Sequence, residues 1–147
     1  MKLIKISTEL EMTVHDFPEG TYRQQNEALR ELIGNYCNIY ECVEPVRLYT
    51  DLHICNRPVK TAGECVCMLV DEEGLLKENK PNLIGSYLYG TDKHKNPIMG
   101  NVLFVGKKWM RGEIDFCGIE DSVFETLELQ LNNLIFAMKA TKEALGK

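Results

Sequence analysis

The stretch "CVCMLVD", Cys65 to Asp71, leaves this chain the fewest choices. It is apolar without interruption and has the length of a strand buried on both faces, which places it centrally in a sheet. "NVLFVG", Asn101 to Gly106, reads as a second buried strand that ends at its glycine. "KLIKIS" alternates polar and apolar residues, and "MTVHDF" follows a short acidic turn, so the chain opens as a hairpin or two short strands. "NYCNIYECV", from Asn35, reads as another strand, closed by Pro45.

Helical signals frame these strands. Thr21 and Gln24 form a T-x-x-Q capping box, and Ala28, Leu29, Leu32 and Ile33 give an apolar stripe that stops at Gly34. Ser122 with Glu125 suggests a second capping box, after which Leu127, Leu131, Leu134, Ile135 and Met138 recur at helical spacing. The apolar residues of this last helix, Leu129 and Phe136 included, fill more than one narrow stripe, so part of it is expected to face another subunit. Pro81 opens a shorter segment of one or two helical turns that reaches Tyr89. Between Arg47 and Glu64 periodicity is weak, and Pro58 and Gly63 mark a long loop carrying Arg57 and Lys60. With 147 residues, these elements predict one α+β domain: a mainly antiparallel sheet packed with two helices.

The chain carries a net charge of −5. That balance disfavours duplex nucleic acid and anionic membrane, which need a broad basic face. No apolar run approaches the roughly 20 residues of a membrane span, and Glu9 and Glu11 stand where a secretory leader would be apolar, so a cytoplasmic protein is expected. Six cysteines without a CxxC pair predict free thiols, and the spacing of Cys65 and Cys67 suits packing on one strand face better than zinc. His15, His53 and His94 form no catalytic constellation, and Asp71, Glu72 and Glu73 before Gly74 read as a turn. No enzyme motif is found and no cofactor is expected.

The cations are less ordinary. Lys107, Lys108 and Arg111 surround the only tryptophan, Trp109, just past a buried strand, with Lys93 and Lys95 before it. Arginine's planar fork suits phosphate oxygens, and Trp109, Tyr87 or Tyr89 offers a face for a base to stack on. On chemistry alone the cluster fits a nucleotide site and a solvated basic edge equally.

The segments "MKLIKIS", "CMLVDEEGLLKENKPNLIGSYLYG", "NPIMGNVLFVG" and "DFCGI" together resemble the first-described family of phage Thoeris anti-defence sponges, over most of the chain. The resemblance implies a protein that binds, without cleaving, the cyclic ADP-ribose isomers made by TIR-domain immune enzymes in the bacterial host. It implies homodimers that assemble to hexamers, with pockets at subunit contacts, and in some members capture of the cyclic trinucleotides of CBASS-type defence. By the same pattern Arg57 and Arg111 are expected to grip phosphates, and Asn82, Tyr87 and Tyr89 to contact the base. Lys107, Lys108 and Trp109 join them from composition. Two rival readings stand beside this one. The first is an inhibitor that docks on a host enzyme through the apolar face of the last helix; the second is a nucleotide-processing enzyme.

Overall fold

The computed structural model describes residues 1–51, 54 and 61–145. Arg57, Lys60, His53, Cys55 and Pro58, on which expectations were placed, lie outside these residues. Among the described residues six strands form one antiparallel sheet: β1 (Lys2–Ile6), β2 (Met12–Asp16), β3 (Tyr40–Val43), β4 (Val66–Asp71), β5 (Val102–Met110) and β6 (Glu113–Cys117). The spatial order is β2-β1-β5-β4-β3, with β6 also paired to β5. Among the described residues five helices accompany it: α1 (Tyr22–Ile33), α2 (Val46–Thr50), α3 (Leu83–Tyr89), α4 (Thr91–His94) and α5 (Asp121–Leu145). The expected α+β architecture is present, with the two long helices, the short one expected up to Tyr89, and two further short helices, α2 and α4.

β4, and β5 as far as Lys107, are buried on both faces, as their unbroken apolar runs require. Alternation along each strand divides the core in two. Val66, Met68, Val102 and Phe104 pack with Ile84, Leu88, Leu127 and Leu131 of α3 and α5, whereas Cys67, Leu69, Leu103 and Val105 pack with Leu29 and Ile33 of α1. The sheet is therefore the middle layer of three.

β5 organises this layer. Gly106 pairs with Val66 of β4 on one edge and with Cys117 of β6 on the other. The edge that β6 occupies is taken at the opposite end of β5 by β1, where Ile4 pairs with Phe104. Contrary to the sequence expectation, the strand does not end at Gly106, because β6 folds back on it through a two-residue turn. Arg111 (φ 52°) and Gly112 (φ 82°) both occupy the left-handed region, as a type I′ hairpin demands. At Gly106 three main chains converge: a Cβ there would lie 2.5 Å from the Gly118 carbonyl oxygen and 2.6 Å from the Gly63 Cα.

Three other boundaries moved. The strand expected from Asn35 begins only at Tyr40, since Asn35 (φ 50°) and Tyr36 (φ 56°) follow Gly34 in the left-handed region and cannot enter a ladder. Lys77 clamps that turn, donating to the carbonyls of Asn35 (3.2 Å) and Tyr36 (2.9 Å) while paired to the buried Asp71 carboxylate at 2.8 Å. The weakly periodic segment from Arg47 opens with a helix, α2. At α5 the cap is Glu120 rather than Ser122: its carboxylate accepts from the Ser122 (3.1 Å) and Val123 (3.2 Å) N–H groups. The α1 capping box of Thr21 and Gln24 is formed as expected, with Gly34 as C-cap.

A left-handed conformation is costly for an aromatic residue, by about 1 to 2 kcal/mol. Tyr36 is 91% exposed and contributes little packing to offset that cost. Tyr36→Gly is expected to raise stability by about 1 kcal/mol, read as a higher denaturation midpoint with an unchanged slope. A lower midpoint would show that the tyrosine ring stabilises the turn.

Candidate functional site

The exposed half of β5, its hairpin with β6 and the start of α1 enclose a cleft of about 340 Å³, lined by Gly20, Tyr22, Gln25, Lys108, Met110, Arg111 and Asp115. The elements explain why these residues meet. Gly20 (φ 113°) turns the chain into the Thr21 cap, which sets Tyr22 in the first turn of α1 at 71% exposure. Lys108 is paired across the hairpin with Asp115 in register, and Arg111 sits at the tip. Among the described residues neither Lys108 nor Arg111 is in an ion pair within 4.0 Å. Asp115 turns a carboxylate oxygen to its neighbour's N–H at 2.8 Å. Two cations thus face one carboxylate beside an aromatic ring, an arrangement able to hold a small anion and stack a flat ring on it.

The expected site residues divide among several places. Lys107 is 9% exposed and bonded to Glu44 at 3.1 Å. Burial alone would lower its ammonium pKa, but the hydrogen bond to Glu44, with the charges of Cys67, Glu44 and Cys42, outweighs this and the net shift is upward. Trp109, between Lys108 and Met110 in the strand alternation, is 55% exposed and does not line the cleft.

Asn82 is fully buried and has its side chain committed to the fold. It caps α3 by accepting from the Gly85 N–H at 2.9 Å, and donates to the carbonyls of Ile6 and Gly100, both at 3.0 Å. It is therefore the N-cap, and Pro81, expected to open the helix, lies one residue before it. Tyr89 packs on the core with its ring 4.6 Å from that of His94.

Tyr87 lines a different depression, an apolar groove of about 710 Å³ between α3 and the end of α5, with Leu83, Leu134, Met138 and Leu145. Arg47, which sequence reasoning passed over, lies 4.4 Å above the Tyr87 ring, donates to its carbonyl at 2.8 Å and pairs with Asp92 at 2.8 Å. A third cleft, of about 320 Å³, is rich in amides: Asn35, Asn79 and Asn101 line it with Lys77 and Lys80. Its groups largely bind one another, as Asn35 donates to Asn79 and Asn101 to the Ile33 carbonyl. Among the described residues no three His, Cys, Asp or Glu side chains are gathered as metal ligands, and no helix is long and apolar enough to cross a membrane.

Lys108 and Arg111 were legible in the sequence as part of the cation cluster, whereas Tyr22 and Gln25 were not. The only signal for those two was their place at the start of a capped helix, and nothing local indicates that this end abuts the hairpin. No family model, no curated protein and no solved structure matches the chain.

Replacing Asn82 by Ala removes three buried hydrogen bonds, at about 0.5 to 1.5 kcal/mol each. Asn82→Ala is expected to destabilise the protein by at least about 2 kcal/mol in chemical denaturation. A loss below about 0.5 kcal/mol would show that water or a rearranged turn replaces the amide.

Proposed function

We propose that the chain is a binding protein for a small anionic nucleotide, held in the cleft between the β5–β6 hairpin and α1. The observation that carries this reading is that Lys108, Arg111 and Tyr22 line one cleft, with no ion pair between these cations and any described residue. Its volume, about 340 Å³, lies in the range of small-molecule sites. Together with the resemblance to the anti-defence sponges, this leads us to assign the ligand as a cyclic ADP-ribose isomer, sequestered intact so that it cannot reach its effector. Cyclic trinucleotides are a second ligand class under the same proposal.

Mechanistically, sequestration requires tight, reversible capture and no bond-breaking. Arg111 and Lys108 neutralise the diphosphate, Tyr22 offers a ring face to the base, and Gln25 a hydrogen-bonding amide. Arg57 enters the proposal only from the sequence, through its place in the long loop and through the resemblance. To deplete a signal the affinity must reach the nanomolar range, about −12 kcal/mol. Preformed charge and shape lower the ordering cost of such binding.

Titration calorimetry with cyclic ADP-ribose isomers and with cyclic trinucleotides, followed by heat release and chromatography of the ligand, tests this. Nanomolar binding with intact ligand recovered is the expected result. A converted product would make the protein an enzyme instead. Arg111→Ala and Lys108→Ala are each expected to weaken binding by about 1.5 to 3 kcal/mol without changing the denaturation midpoint. Unchanged affinity in both variants moves the ligand elsewhere.

A second reading, docking of a protein, draws on α5. Leu129 is 63% and Phe136 78% exposed, seven residues apart on one face. We take this face to be a contact between copies of the chain, in keeping with a homodimer that assembles to a hexamer. Phe136→Ser is expected to reduce the mass measured by sedimentation. An unchanged assembly would leave the face to a foreign protein.

A further inference from the structure

Cys42 and Cys67 form a thiol pair that nucleotide binding leaves unused. Cys42 is exposed on the edge strand β3, and Cys67 is fully buried on β4. In the antiparallel register Cys42 faces Leu69, so Cys67, two residues along, is its diagonal neighbour on the same side of the sheet. The two thiols lie close enough to shift each other's ionisation. The Lys107 ammonium stands beside both, held by Glu44, and Glu41 lies next to Cys42 in the chain.

We propose that Cys42 and Cys67 are a redox dithiol, oxidised by a hydroperoxide to an intramolecular disulfide, with Cys42 attacking and Cys67 resolving. In the first step the Cys42 thiolate attacks one peroxide oxygen. The O–O bond breaks, hydroxide leaves and takes up the proton released by the thiol, and a sulfenic acid and one water result. In the second, the Cys67 sulfur attacks the sulfenic sulfur. The S–S bond forms, the S–O bond breaks, and hydroxide departs with the Cys67 proton as a second water. Hydrogen peroxide gains the two electrons that the two thiols lose.

The roles follow from position. The neighbouring thiols act on each other, the Cys42 pKa falling and that of Cys67 rising, which favours the thiolate on Cys42. Lys107 assists at Cys42, against burial and the charges of Glu44 and Glu41. The more acidic sulfur is also the accessible one, as a peroxide-sensing thiol requires. The bridge fastens the four-residue edge strand covalently to the centre of the sheet.

The test uses the reduced full chain. Iodoacetamide labelling at pH 7, followed cysteine by cysteine by mass spectrometry, is expected to modify Cys42 about tenfold faster than Cys37, Cys65 and Cys117. One equivalent of hydrogen peroxide should then remove two hydrogens and yield a linked Cys42–Cys67 peptide. In Cys67→Ser the reaction should stop at a Cys42 sulfenic acid that dimedone traps. Cys42 labelling no faster than the buried thiols, or oxidation joining Cys42 to another cysteine or a second copy, overturns the proposal. If Cys67→Ser does not fold, the peptide map of the unsubstituted protein decides.

Discussion

Everything in this fold hangs on the two edges of β5. A strand has only two rows of backbone groups to satisfy, and β5 gives one to β4 and divides the other between β1 and β6. That division places the start of the chain and the run-up to α5 end to end, joined where the Ile119 N–H donates to the Lys2 carbonyl at 2.8 Å. It also makes one strand serve two purposes. Its first half is buried core, and its second half leaves the sheet as a hairpin arm whose side chains are free to meet something else.

This explains how the cations sort. Lys107 sits where the strand is still covered and is consumed by Glu44, whereas Lys108 and Arg111 lie further along, where cover ends. A change of one position along a strand reverses the face and a change of four reaches the turn, so neighbours in sequence acquire unrelated roles. Composition marks such a cluster as chemically interesting but does not apportion it.

Much of the framework was nonetheless legible. The runs around Met68 and Phe104 are apolar without alternation because both sheet faces are covered, and the Thr21–Gln24 capping box fixed α1 to the residue. The misplacements share a cause. Tyr36 continues a strand-like alternation, yet its backbone is bent by the Gly34–Tyr36 turn, which Lys77 holds from forty residues away. The β5–β6 turn was signalled only by Gly112, because arginine is an unusual occupant of a left-handed position. Asn82 looked like a ligand-contacting amide, but its partners Ile6 and Gly100 come from distant segments that no local pattern connects. Long-range hydrogen bonds decided those assignments, and they leave no periodic trace.

The crossing of Gly63, Gly106 and Gly118 has a mechanical consequence. A side chain can rotate to absorb a neighbour's displacement, but main chains in direct contact cannot, and interiors packed this closely transmit strain. The Glu120 N–H donates to the Gly63 carbonyl at 2.9 Å, and the Gly63 N–H donates to Lys107 at 3.0 Å. The chain leading into β4 is thus geared to the residue that caps α5 and to the strand that carries Lys108. Any movement at Gly63 is conveyed to the long helix and to the hairpin together.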